Sequence, residues 1–299
     1  MLLCAAWTWK KFKLFIGKDI NETVKLARDA FESIGIDSPW LDAEILLADS
    51  LNLTREEILV KGNNPFPSED SKKWQNIVLR RMKREPVDRI LGKKRFRKLD
   101  FNVVPGVFSP RPETEELLSR ALERIPENGC FLDLCCGTGC IGISIANERN
   151  CQGVLCDIDT KAVSHAQSEA KRLLPNADLT IVQSDLFENI EDKFDLIVSN
   201  PPYISTKERK SLPPEVINFD PEGSLFCGPD GLHVCKSIID KAPNYLNKNG
   251  WLLIEYGFCQ KDNVSNLFSS DWTNVKQRKP WGAPRSEKDF FVEAQWSPS

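Results

Sequence analysis

Long apolar runs are missing from this sequence. None of its 299 residues belongs to a stretch approaching the roughly 18 uninterrupted apolar residues of a membrane span, which excludes an integral helical membrane protein. Glycine (16) and proline (19) are too sparse for a collagen-like or low-complexity chain. Histidine occurs twice, at His165 and His233, and none of the ten cysteines forms a Cys-x-x-Cys pair. That combination argues against a zinc site, and no metal is expected. The opening Met1–Gly17 puts its charge after a short apolar run, the reverse of a secretory signal. It reads as a loosely docked tail. A net charge of −3 gives the whole molecule no excess of positive charge for a polyanion.

What is present is ordinary for a soluble globular chain: 41% hydrophobic and 28% charged residues, with a mean hydropathy of −0.35. At about 150 residues per domain the length suggests two domains, each able to bury a core. Charge is unevenly spread. Residues 1–105 carry 20 basic and 15 acidic side chains, whereas the remainder carries 20 and 28. Twelve of the basic residues lie between Lys72 and Lys98, against Glu85 and Asp88 alone. They form either a solvated helix face or a patch for an acidic partner or RNA phosphates. Six cysteines crowd between Cys130 and Cys156, several in apolar runs. Reduced thiols acting as small hydrophobes, in a cytoplasmic protein, are the simple reading.

Apolar spacing of three and four predicts a helix over 21–33, through Val24, Ala27, Phe31 and Ile34. Ser38-Pro39 opens a second helix over 40–51, and Thr54-x-x-Glu57 is a capping box for a short third. A fourth runs to about Lys83. Residues 90–104 suggest a β-hairpin, and Pro112 starts a helix through Arg124. From Cys130 onward strand-like and helix-like runs alternate. Strands are expected over 130–135, 153–158, 179–185, 194–200 and 250–256, and helices over 139–148, 160–174, 231–246 and 259–269. Two last strands, near 275–278 and 289–295, can close as a hairpin. This alternation argues for a parallel sheet with helices on both faces. The expected organisation is a tail (1–19), a helical domain (20–88), a hairpin linker (89–108) and an α/β domain (109–299).

The first chemical motif joins a strand to a helix. Gly137-x-Gly139-x-x-Gly142 formally matches a dinucleotide fingerprint, and Asp157 follows 20 residues after Gly137. Asp133 points elsewhere. It lies four residues before Gly137, where a carboxylate gives a pyrophosphate nothing. A ligand carrying an ammonium and a sulfonium gains from it, and S-adenosyl-L-methionine is such a ligand. Asp157 can accept from ribose hydroxyls, and Asp185 can meet an adenine amino group. Either Asp133 or Asp185 alone could be a loop or turn cap.

The second motif is Ser199-Asn200-Pro201-Pro202-Tyr203, following the fourth strand. A rigid turn would explain the prolines. The chemistry suggests more. An amide or aromatic amine nitrogen is a poor nucleophile because its lone pair is delocalised. Two acceptors, the Asn200 side-chain oxygen and the Pro201 carbonyl, can bind its two hydrogens and free that pair. The prolines fix the carbonyl and remove competing donors, and Tyr203 can stack on the flat group. No general base is required, since the proton can leave after the methyl arrives.

On these residues the sequence resembles the HemK/PrmC family, the N5-glutamine methyltransferases of peptide-chain release factors. The resemblance covers nearly the whole chain from about residue 20. It also rests on Asp42-Ala-Glu-Ile-Leu-Leu, Pro110-Arg-Pro-Glu-Thr-Glu115, Phe219-Asp-Pro-Glu-Gly-Ser-Leu225 and Gly228-Pro-Asp-Gly231. It implies a class I S-adenosylmethionine-dependent methyltransferase fold: a Rossmann-like seven-stranded sheet, last strand antiparallel, behind a small all-helical N-terminal domain. The family's loop carries over to Cys135, Cys136, Gly137, Thr138 and Gly139 and its ribose acid to Asp157; together with Asp133, Asp185, Leu186 and Asn200 these are the expected cofactor residues. Cys135 stands at the usual first loop glycine, and Leu186 at a position aromatic in some members. The substrate amide falls to Asn200, Pro201, Pro202 and Tyr203, with Arg111 beside the cleft. The implied reaction methylates the glutamine of a release factor's Gly-Gly-Gln loop, in the cytoplasm, as a monomer. The helical domain and the basic stretch would dock the protein substrate, and no specific nucleic acid or membrane is involved. Adenine-N6 methylation of nucleic acid shares Asn-Pro-Pro-Tyr, but the acidic charge of residues 106–299 opposes it. A non-catalytic cofactor-binding adaptor and a nicotinamide dehydrogenase rank below.

Overall fold

Amphipathic spacing in the first third of the chain resolves into short helices closed by local caps. The computed structural model describes residues 15, 17–257, 259–279 and 290–298, and the chain divides between Lys93 and Lys94 into two compact units. In the first, α1 (Ile20–Glu32) starts with a capping box in which Asp19 accepts from the Glu22 N–H at 2.7 Å. Pro39 opens α2 (Pro39–Ser50), but the Ser38 hydroxyl caps no backbone group and donates to Asp42 Oδ1 instead. The Thr54–Glu57 capping box is formed at α3 (Arg55–Val60). Then come α4 (Ser71–Met82) and a five-residue α5 (Val87–Leu91), ended by Gly92. Phe31, Leu46, Leu47, Trp74 and Val78 form the buried core. Phe15, inside the stretch expected as a loose tail, is buried edge-on against Trp74. Residues 1–14 of that tail lie outside the described residues.

The basic stretch is largely tied up within the fold. Arg81 pairs with Asp42 at 2.8 Å, both nearly buried, and Arg80 with Glu85 at 2.6 Å. Lys73 and Arg84 donate to backbone carbonyls, and Lys93 pairs with Asp49. A hairpin, β1 (Lys93–Phe96) and β2 (Leu99–Asn102), follows. Around it Arg95 meets Asp100, and Arg97 and Lys98 both meet Glu148.

The second unit is a seven-stranded sheet. In chain order its strands and main helices are α6 (Thr114–Arg124), β3 (Cys130–Leu134), α7 (Cys140–Glu148), β4 (Gln152–Asp157), α8 (Thr160–Leu173), β5 (Leu179–Gln183), β6 (Phe194–Ser199), α9 (Pro214–Phe219), α10 (His233–Lys241), β7 (Leu246–Glu255), α11 (Lys261–Ser265), β8 (Trp272–Arg278) and β9 (Phe291–Trp296). The order is β5-β4-β3-β6-β7-β9-β8. The first five strands are parallel, and β9 runs antiparallel between β7 and β8. Alternate residues feed two cores: Phe131, Leu196 and Val198 one, Leu132, Leu134 and Ile197 the other. Burial of both faces explains the near-continuous apolar strands. After β3 the chain builds outward to β5, then returns to β6 on β3's other side. The strand ends on either side of that reversal open into the crevice where such sheets bind ligands.

Helix α6 begins at Thr114, two residues beyond the expected Pro112, because Thr114 first closes a turn onto the Arg111 carbonyl. The expected helix over 259–269 shortens to α11, and the start of the last expected strand at Asp289 falls outside the described residues.

Candidate active site

A cavity of about 630 Å³ opens at the ends of β3, β4, β6 and β7. The loop leaving β3 forms one wall with Cys135, Cys136, Gly137 and Thr138. Its path requires left-handed backbone at Cys135 (φ 57°), Gly137 (φ 54°) and Gly139 (φ 76°). A Cβ on Gly137 would meet nothing within 4 Å, so this position leaves the backbone bare toward a ligand. Cys135 takes the same conformation with a side chain attached, at a cost of about 1–2 kcal/mol.

Asp157, the last residue of β4, holds the loop in place. Its two carboxylate oxygens accept from the N–H groups of Gly137 and Asp159, each at 2.9 Å. Burial still pushes its carboxyl above the ordinary range, against those two donors. Ile158 follows and lines the cavity with 63% of its surface exposed.

Asp133 sits behind the loop, fully buried and off the cavity wall. Its Oδ2 accepts from the Gly142 N–H at 2.9 Å, and its Oδ1 has no partner among the described residues. Burial raises its carboxyl to about 8. Gly139 is also a backing residue, at the start of α7 against Ile143, Ala166 and Leu155. Asp185 is exposed and lies two residues past β5. Neither it nor Leu186, whose φ is 51°, lines this cavity.

Asn200, Pro201, Pro202 and Tyr203 all line the cavity, as does Arg111. Arg111 pairs with the buried Asp220 and stacks on Phe108, which ties the Pro110-Arg-Pro segment to the Phe219-Asp-Pro segment. The Tyr203 carbonyl accepts from Gln260 Nε2 at 2.9 Å, and Gly231 packs so closely there that a Cβ would stand 2.2 Å from that oxygen. No donor among the described residues engages Asn200 Oδ1 or the Pro201 carbonyl.

Two residues that the sequence analysis missed complete the site. Thr114, first in α6, and Glu255, last in β7, are buried cavity residues. Asn200 Nδ2 donates to Thr114 Oγ1 (3.1 Å), Thr114 Oγ1 donates to Glu255 Oε2 (2.8 Å), and the Tyr203 hydroxyl donates to Glu255 Oε1 (3.3 Å). Burial raises the Glu255 carboxyl to about 7, with Thr114, Tyr203 and Asn200 opposing the rise. Burial and Glu255 together raise the Tyr203 phenol. A signal for Glu255 existed: an acid closing the apolar run Trp251-Leu-Leu-Ile254 stands at a strand end, as Asp157 does.

A parallel sheet with its final strand reversed, and a glycine-bearing loop pinned by the acid of the neighbouring strand, define a class I methyltransferase. The solved structure of a methyltransferase from Pyrococcus furiosus shares this fold, with a TM-score of 0.51 at 16% identity over 67% of this chain and 89% of that one. Residues 98–218 match the family described as Methyltransferase small domain, and residues 22–92 the PrmC N-terminal domain. The chain is 38% identical over 252 residues to the release factor glutamine methyltransferase of Geobacter sulfurreducens (84% of this chain, 88% of that protein). It is 35% identical over 263 residues to that of Agrobacterium fabrum (85% and 91%). The chain belongs to the release factor glutamine methyltransferase family.

The cavity wall suits the methyl donor of this class, S-adenosylmethionine. The bare backbone at Gly137 admits close approach, and the buried Thr138 hydroxyl lies on the same wall. Ile158 offers an apolar surface beside the Asp157 carboxylate.

Proposed function

We propose that this protein methylates the side-chain nitrogen of the glutamine in the Gly-Gly-Gln loop of a peptide-chain release factor. The observation that carries this reading is a pair of acceptors, Asn200 Oδ1 and the Pro201 carbonyl, that no donor among the described residues engages, in the cavity that also holds the β3 loop. S-adenosylmethionine, when bound, supplies an electrophilic methyl group on a sulfonium. Gly137, Thr138, Asp157 and Ile158 would hold it. Asn200 and Pro201 would each accept one hydrogen of the glutamine carboxamide, turning its nitrogen lone pair toward the methyl. Tyr203 flanks the planar group. Alignment of this kind can supply up to about 7–11 kcal/mol of barrier lowering. The surplus proton leaves the nitrogen after transfer, so these residues need no base.

The test is intact-mass analysis of a release factor incubated with enzyme and labelled cofactor. The expected result is a gain of one methyl group on the Gly-Gly-Gln glutamine. Asn200→Ala should slow the reaction by about 10²–10³-fold, the effect of removing one preorganised hydrogen-bond partner. A factor left unmodified by active wild-type enzyme would refute the proposal.

A further inference from the structure

The Asn200 carboxamide has two ends of opposite character, and something must decide which one meets the substrate. The chain behind it makes that decision by counting hydrogens. Glu255, as a carboxylate, only accepts. Both its oxygens are taken, Oε2 by the Thr114 hydroxyl and Oε1 by the Tyr203 hydroxyl. A threonine hydroxyl has one hydrogen, and here Glu255 holds it. The Thr114 oxygen is left with lone pairs only, so Asn200 must offer it Nδ2, as the 3.1 Å contact has it. Oδ1 is then the end that remains for the cavity.

We propose that Glu255, acting through the Thr114 hydroxyl, fixes the orientation of the Asn200 carboxamide and so makes Asn200 select a substrate side chain that donates N–H. Both are positioning residues. The inference rests on the reading that Asn200 receives a glutamine amide. It adds the device by which a group lacking N–H donors is refused.

Glu255→Gln reverses the logic. The Tyr203 hydroxyl still needs an acceptor and claims the new amide oxygen. The new amide nitrogen then faces Thr114 and donates to it. The Thr114 hydrogen turns to Asn200 Oδ1, and Asn200 presents its NH₂ to the cavity. Thr114→Val removes the hydroxyl with little change in shape, whereas Thr114→Ser keeps it.

The experiment compares binding of two release factors to enzyme loaded with S-adenosylhomocysteine. One carries the Gly-Gly-Gln glutamine. The other carries methionine there, uncharged and of similar length but without N–H groups. Wild-type enzyme should prefer glutamine by about tenfold or more, because an analogue leaving a built acceptor unpaired is rejected. The preference should fall below about threefold in Thr114→Val and Glu255→Gln, and return in Thr114→Ser. A merely structural role would weaken both factors equally and leave the ratio intact. A wild-type ratio in Thr114→Val, or in folded Glu255→Gln, overturns the proposal. The Thr114 pair decides the matter even if Glu255→Gln fails to fold. S-adenosylhomocysteine affinity, measured separately, reports that the cavity is formed. Wild-type enzyme that never methylates the glutamine factor would instead bring down the underlying reading.

Discussion

Asp133 and Glu255 are buried carboxyls. Asp133 is held at about 8 and Glu255 at about 7, against ordinary values of 3.8 and 4.5, chiefly because burial penalises their charge. Each keeps its proton to higher pH in the folded chain than in the unfolded one. Their contribution to stability is therefore full below about pH 4 and is lost as pH rises through 7 to 8. Asp133→Asn should gain stability relative to wild type as pH climbs, by at least about 1 kcal/mol between pH 4 and pH 9, since one pKa unit is worth about 1.4 kcal/mol. Thermal melts at the two pH values measure this, and parallel curves would contradict it. Glu255 makes a second prediction. Below about pH 7 it gains a hydrogen and can donate to Thr114, so methyl transfer should fall there. The charged or titratable groups bearing on it are Tyr203, Glu113 and Cys140. Tyr203 is pushed upward and Cys140 to about 12, so both stay protonated across this window. The step near 7 should be absent from the rate profile of Glu255→Gln.

Helices α2 and α4 are joined by a pair the sequence did not advertise. Asp42 and Arg81 lie 39 residues apart and meet with both side chains under a tenth exposed. Removing one partner strands a buried charge, so Asp42→Ala should cost about 3–5 kcal/mol. Denaturant titration followed by helical circular dichroism is the measurement, and a loss below about 1 kcal/mol would show the pair to be idle. Most helices and strands expected from periodicity form, some with shifted ends: the helix expected over 231–246 stops at Lys241 in α10, and β7 already begins at Leu246. Helix α5 escaped notice because five residues show no period, although Pro86 before it and Gly92 after it are proper boundary residues. The turns and short helix over 206–224 escaped for the same reason. They are held by side chains from elsewhere, Arg111 on Asp220 among them.

For the chain as a whole, the decisive property is where its charge is spent. The run from Lys72 to Lys98 read as a candidate phosphate or acidic-partner patch. Most of those residues instead neutralise Asp42, Asp49, Glu85, Asp100 and Glu148 or bind backbone carbonyls. An RNA oligonucleotide should therefore bind no better than the non-specific range of about 10⁻⁴–10⁻⁶ M near physiological salt. Fluorescence anisotropy across a salt series checks this. Tight binding with a slope of many released counterions would restore the patch.

Composition, periodicity and two short motifs were enough to read the helical first third, the alternating second part, and the strand ends at which the β3 loop, Asp157 and Asn-Pro-Pro-Tyr stand. Each is a local property: caps, turns and apolar faces are written in neighbouring residues. The sequence could not say that Asp133 and Gly139 stand behind the wall, that Asp185 lies off it, or that Ile158 lies on it. Nor could it bring Thr114 and Glu255, 141 residues apart, to one hydrogen bond behind Asn200. A side chain's partner across the sheet is set by strand order and register, and these arise only when the whole unit packs.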